Sequence, residues 1–202
     1  MRILLDNYEA ETNLGPDTIK NKSGIWVHGC DKNCKGCITS WNRNSEPDIK
    51  ISTFLSALMI AEHNPEMLVI SGGEPFLQAE ALVELIDFLN EMTDGKTGIM
   101  IYTGNIYEDL KNIPVAEELI SRTDILVDGP YIPELDDNNA FRGSSNQRII
   151  FTSERYCTNI FRNTARNTRI TFRNGEALMT GIPSADVREL WYGLRDSLQK
   201  GL

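Results

Sequence analysis

The chain of 202 residues is long enough for one domain with a substantial core and room for an appendage. Its 41% hydrophobic and 24% charged residues are those of an ordinary globular protein, and a net charge of −9 argues against a nucleic-acid partner, whose phosphates favour a basic surface. No apolar run is long enough to span a bilayer, and the opening Met1-Arg2-Ile3-Leu4-Leu5-Asp6 is too short and too soon acidic for a signal peptide, so a cytoplasmic protein without membrane association is expected.

Residues 1–23 hold a short apolar run, Ile3-Leu4-Leu5, and a turn at Gly15-Pro16. Gly24-Ile25-Trp26-Val27-His28 is short, β-branched and aromatic, and predicts the first core strand, with Cys30 at its carboxyl end. Cys30, Cys34 and Cys37 follow at spacings of four and three. Three thiols crowded into one loop read as metal ligands in a reducing compartment, not as disulfide partners, and Cys157 reads as an unligated thiol. Soft thiolates suit zinc or an iron–sulfur cluster, and both normally take four ligands. His28 could complete a closed Cys3His zinc site; alternatively, one iron of a 4Fe-4S cluster is left open for a small molecule.

Further along, Ser52 opens a helical pattern that places Phe54, Leu55, Leu58 and Ala61 on one face and stops at Asn64-Pro65. A strand over Met67 to Ile70 leads into Ser71-Gly72-Gly73-Glu74-Pro75. The next helix, roughly Leu77 to Met92, stripes Leu82, Leu85, Ile86 and Leu89, and leaves Glu80, Glu84, Asp87 and Glu91 as a solvated face. Ile99-Met100-Ile101-Tyr102 predicts a third strand closed by Thr103-Gly104. Helical residues from Tyr107 to about Ile120, interrupted near Pro114, precede a fourth strand at Ile125-Leu126-Val127-Asp128. This alternation predicts βαβ units and a parallel α/β sheet, with Cys30, Gly72-Gly73-Glu74, Thr103-Gly104 and Asp128 on the rim where such sheets bind ligands; an open barrel is expected.

After a polar stretch, Arg148-Ile149-Ile150-Phe151 predicts a fifth strand. The tail accumulates Arg155, Arg162, Arg166, Arg169 and Arg173, suited to an acidic partner patch or to solvation. It then predicts a hairpin over Ile170 to Met179 turning on Asn174-Gly175, and an amphipathic helix after Pro183-Ser184 carrying Val187, Leu190, Trp191, Leu194 and Leu198.

The CxxxCxxC spacing and the strand-end Gly72-Gly73-Glu74 turn, in that order, resemble the radical SAM superfamily. Leu126-Val127-Asp128-Gly129-Pro130-Tyr131 and Arg142-Gly143-Ser144-Ser145-Asn146-Gln147 further resemble segments of the activating proteins of anaerobic ribonucleotide reductases, a branch of the glycyl-radical-enzyme activases. The similarity covers roughly residues 24–152. It implies a partial open (β/α)6-type barrel over 1–152 and a C-terminal hairpin-plus-helix extension over 153–202, packed on that core.

It also implies that Cys30, Cys34 and Cys37 ligate three irons of a 4Fe-4S cluster while S-adenosylmethionine chelates the fourth. Gly72 and Gly73 would let the backbone approach the ligand, and Glu74 would accept from the methionine ammonium. Gly36 and Ile38 would lie by the adenine, and Thr103, Gly104 and Asp128 would contact ribose or methionine. No catalytic side chain is implied beyond the cluster and its cosubstrate. The implied partners are a large glycyl radical enzyme, an anaerobic ribonucleotide reductase, and a one-electron donor such as flavodoxin or ferredoxin. Two other readings stand beside this one: radical chemistry on a small molecule or peptide, and a non-enzymatic zinc-stapled interaction protein. Three departures stand out: Gly15-Pro16 is followed by Asp17-Thr18 instead of Gly and Arg, Gly36 stands before the third cysteine where many radical SAM proteins carry an aromatic residue, as it does in the reductase activases, and the chain after Phe151 is longer than in the short activases.

Overall fold

A computed structural model describes residues 1–39, 45–162, 166–173 and 176–200. The elements run β1 (Arg2–Glu9), β2 (Lys22–Val27), β3 (Ile49–Ser52), α1 (Thr53–Glu62), β4 (Met67–Gly72), α2 (Ala79–Thr93) and β5 (Gly98–Tyr102). They continue with α3 (Tyr107–Leu110), α4 (Pro114–Ser121), β6 (Ile125–Asp128), β7 (Arg148–Phe151), β8 (Thr168–Arg173), β9 (Glu176–Gly181) and α5 (Ala185–Lys200).

The first seven strands make one open sheet in the order β3-β1-β2-β4-β5-β6-β7. Its centre, β2-β4-β5-β6, is parallel, as the alternation of strands and helices predicts. Its flanks are antiparallel: β1 pairs with both β2 and β3, and β7 pairs with β6. Among the described residues this is the expected α/β class, an open sheet with a parallel centre, and the strand order does not by itself make the expected partial open (β/α)6-type barrel. Two strands, β1 and β3, went unread because Ile3-Leu4-Leu5 is brief and β3 has just four residues; each is completed by pairing with a distant partner. No helix among the described residues is long and apolar enough to cross a membrane.

Both faces of the parallel strands are buried, which explains their unbroken apolar runs. Leu68, Ile70, Ile99, Ile101 and Leu126 face one core, shared with Ala57 and Ile60 of α1 and Leu82, Leu85, Ile86 and Leu89 of α2. Met67, Val69, Met100, Ile125 and Val127 face the other, shared with Leu14, Ile19, Tyr156, Ile160, Phe161 and Ile182. The start of the tail thus covers the face of the sheet opposite α1 and α2.

The stripe predicted for α2 is the one that packs. For α1 it is not: Phe54, Leu55 and Leu58 are 48%, 49% and 49% exposed, while Thr53, Ser56, Ala57 and Ile60 are buried. Small side chains on that face let α1 lie close against α2, and Phe54 meets Phe88 edge-on at 5.4 Å. The break near Pro114 separates α3 from α4, with proline in the first turn of α4 where its missing N–H costs nothing.

In the tail, β8 and β9 pair as the predicted hairpin, with Arg173 opposite Glu176; Asn174 and Gly175 lie outside the described residues. Trp191 is buried in α5, but Leu190 is 72% exposed and does not share its face. Three of the tail arginines are tethers. Arg155 donates to the carbonyls of Gly95 and Lys96, Arg169 to that of Glu11, and Arg166 is gripped by Asp136.

Candidate functional site

The loop that follows β2 is tied to the turn that follows β4. Gly73 N–H donates to the carbonyl of Val27 and Glu74 N–H to that of Gly29, each at 2.8 Å. Gly72, at φ +105°, runs so close to β2 that a Cβ there would lie 2.5 Å from the Val27 nitrogen. The approach of β2 by itself requires a glycine at this position.

Cys30, Cys34 and Cys37 are free thiols of intermediate exposure. All three line one cavity of about 200 Å³ at the carboxyl ends of the parallel strands. Its wall includes most of the expected residues: Ile38, Gly72, Gly73, Glu74, Thr103 and Gly104. Within the loop, Lys32 N–H donates to the Cys30 sulfur at 3.4 Å, and the Thr39 hydroxyl reaches the carbonyl of Gly72 at 3.2 Å.

Glu74 is 1% exposed and accepts from the Phe76 N–H at 3.1 Å, the Thr103 hydroxyl at 2.7 Å and the Gly104 N–H at 2.9 Å. Burial pushes its carboxyl above the ordinary range, against the opposing pull of these bonds and of Lys32. Thr103 and Gly104 therefore act first on Glu74. Burial likewise pushes the Cys30 thiol up, partly offset by the Lys32 N–H; a bound metal would overcome this, since a coordinating thiol is deprotonated.

Two expected residues stand off the cavity wall. Gly36 accepts at its carbonyl from the Tyr192 hydroxyl of α5 at 3.4 Å. Asp128 is fully buried and committed elsewhere: Oδ1 accepts from Arg148 Nε at 3.0 Å, Oδ2 from Arg148 Nη2 and from the Tyr107 N–H at 2.8 Å. It pairs β6 with β7 and caps α3.

The Arg142–Gln147 run braces a neighbouring loop. Gln147 Oε1 accepts from the N–H groups of Gly143 and Ser144 while its Nε2 donates to the Gly129 carbonyl, and Asn146 donates to that of Pro130. A Cβ on Gly143 would come within 2.8 Å of the Tyr131 ring, so the glycine admits that ring. Tyr131, Gly143 and Gln147 line the cavity, as do Gly181, Ile182, Pro183 and Arg188 from the tail. Spacing and composition gave no signal for the last four, because a turn and a helix face far along the chain reach the rim only through tertiary packing.

The donor set discriminates between the metal readings. Zinc needs four ligands converging on one point. His28 does not join the thiols: its Nδ1 lies 2.6 Å from Asp6 Oδ1, and no three His, Cys, Asp or Glu side chains among the described residues converge on a single ion. Three free thiols lining one cavity, with His28 engaged by Asp6, fit the cysteine ligation of a 4Fe-4S cluster.

Residues 21–150 match the 4Fe-4S single cluster domain family. Two proteins named anaerobic ribonucleoside-triphosphate reductase-activating protein are similar to this chain. That of Enterobacteria phage T4 is 27% identical over 130 residues, covering 62% of this chain and 80% of the phage protein. That of Pasteurella multocida (strain Pm70) is 27% identical over 153 residues, covering 70% of this chain and 96% of the bacterial protein. The matched span includes the cysteine loop, the glycine-glycine-glutamate turn and every parallel strand, and the chain belongs to the 4Fe-4S single cluster domain family, as an enzyme of the radical SAM activase type.

Proposed function

We propose that this chain activates a glycyl radical enzyme, an anaerobic ribonucleotide reductase, by abstracting a hydrogen atom from one of its glycines. The observation that carries the reading is the shared cavity of Cys30, Cys34, Cys37 and the Gly72-Gly73-Glu74 turn, together with the names of both similar proteins. When bound, the cluster supplies the electron that cleaves S-adenosylmethionine to the 5′-deoxyadenosyl radical. Residues 1–152 are the radical SAM core in this reading, and 153–202 the extension.

The chain's own residues bind and orient. Cys30, Cys34 and Cys37 hold three irons. Glu74 spends three of its roughly four acceptor positions on Phe76, Thr103 and Gly104 and keeps one for the methionine ammonium. Thr103 and Gly104 fix the angle of that carboxylate, and Gly73 and Ile38 form apolar wall that keeps water from the radical. Gly36 and Asp128 act at one remove, by anchoring α5 and by joining β6 to β7. An external donor such as flavodoxin or ferredoxin supplies the electron.

The test is anaerobic reconstitution with iron and sulfide, followed by reductant, S-adenosylmethionine and the reductase from the same source. A glycyl radical signal in electron paramagnetic resonance is expected. Formation of 5′-deoxyadenosine without that signal would overturn the assignment of partner and favour a small-molecule or peptide target.

A further inference from the structure

The tail supplies part of the cavity wall through Ile182, Pro183 and Arg188. Arg188 is held from two sides. Its guanidinium carbon lies 5.0 Å over the Tyr131 ring, Nη1 donates to the Tyr131 hydroxyl, and Nη2 donates to Asp136 Oδ2 at 3.1 Å.

Asp136 is not Arg188's alone. Arg166, whose side chain is 3% exposed, takes both oxygens of the same carboxylate, at 2.6 and 3.1 Å. Two guanidinium charges thus share one carboxylate beside the cavity, and one positive charge is left in excess. The Nε of Arg188 is buried and has no hydrogen-bond partner among the described residues. A buried, incompletely paired guanidinium is costly unless an anion completes it, and its planar fork suits a carboxylate. Lys32, the other cation on the wall, already pairs with Asp31 at 3.1 Å.

We infer that Arg188 of the C-terminal extension reads the carboxylate of S-adenosylmethionine, so that the extension is part of the cosubstrate site. The inference rests on the proposed function and assigns to the tail a recognition role within it. Glu74 and Arg188 give the cavity one negative and one positive wall, as a zwitterionic amino-acid moiety requires.

The experiment is equilibrium binding of S-adenosylmethionine and of its decarboxylated analogue to the full, anaerobically reconstituted chain. In wild type the carboxylated ligand is preferred. R188Q is expected to reduce that preference roughly tenfold, the worth of one charge-assisted hydrogen bond, and R188K to retain most of it. Equal weakening of both ligands by R188Q would make Arg188 a tether of the extension only and overturn the inference. So would an unchanged preference in R188Q, or its loss in K32M instead. A wild-type protein that binds neither ligand would overturn the proposed function itself.

Discussion

The Thr103 hydroxyl donates to Glu74 Oε1 at 2.7 Å, a buried hydrogen bond that joins the end of β5 to the turn after β4. T103V keeps the shape and removes the donor. It should cost about 1–3 kcal/mol of stability, because a buried carboxylate loses a partner, and weaken S-adenosylmethionine binding by loosening Glu74. Urea denaturation and equilibrium binding check the two effects separately.

Gly72 tests whether β2 or the ligand demands a glycine. A Cβ at 2.5 Å from the Val27 nitrogen, on a backbone at φ +105°, combines strain with a clash. G72A should lose about 3 kcal/mol in the protein without iron or cosubstrate, from the cost of such backbone strain and overpacking. Unchanged denaturation of that protein would return the glycine to a ligand role.

Asp128 separates a structural from a binding role. D128N leaves Arg148 facing a neutral amide and should lower stability by about 2 kcal/mol, less than a fully buried pair because Arg148 is 46% exposed. The affinity of the folded variant for S-adenosylmethionine should change less than about twofold, the effect of a substitution that touches no ligand. A larger loss of affinity at unchanged stability would place the carboxylate in the cosubstrate site.

Burial, with Lys20 adding repulsion, lowers the Lys22 ammonium from 10.5 to about 8, although Nζ donates to the carbonyls of Pro16 and Ile19. Between those values the unfolded chain binds more protons than the folded one, so this residue makes unfolding harder as pH rises from 8 to 10.5. K22M removes that term. The stability difference between wild type and K22M should therefore grow over the window, by up to about 3 kcal/mol from the size of the shift, as followed by urea denaturation at several pH values.

Cys157 supplies the control for the proposed cluster ligands. It is exposed, and its thiol donates to Asn159 Oδ1 at 3.1 Å. C157S should keep the iron and sulfide content of reconstituted wild type, while C30S, C34S and C37S should each lose most of it. Iron retention by all three serine variants would remove the cluster from this loop.

The parallel strands were legible because Met67–Ile70, Ile99–Ile101 and Ile125–Val127 are buried on both faces, and continuous apolar runs announce that state. The cysteine loop and the Gly72-Gly73-Glu74 turn were legible because their chemistry is local. The buried face of α1 was not, since Ala57 and Ser56 were chosen by closeness to α2 and periodicity alone favoured the larger Phe54 and Leu58. Pairings of β1 with β3 and contacts of Arg188 with Tyr131 join residues about 50 positions apart, beyond the reach of any local pattern.

The backbone stitches from Gly73 to Val27 and from Glu74 to Gly29 have a mechanical consequence. They fuse the loop that carries the cysteines and the turn that carries Glu74 into one stiff bracket, so thermal motion displaces both together. On the proposed function, the gap across which an electron would pass is then set when the polypeptide folds, and a cosubstrate entering it would find that spacing already established.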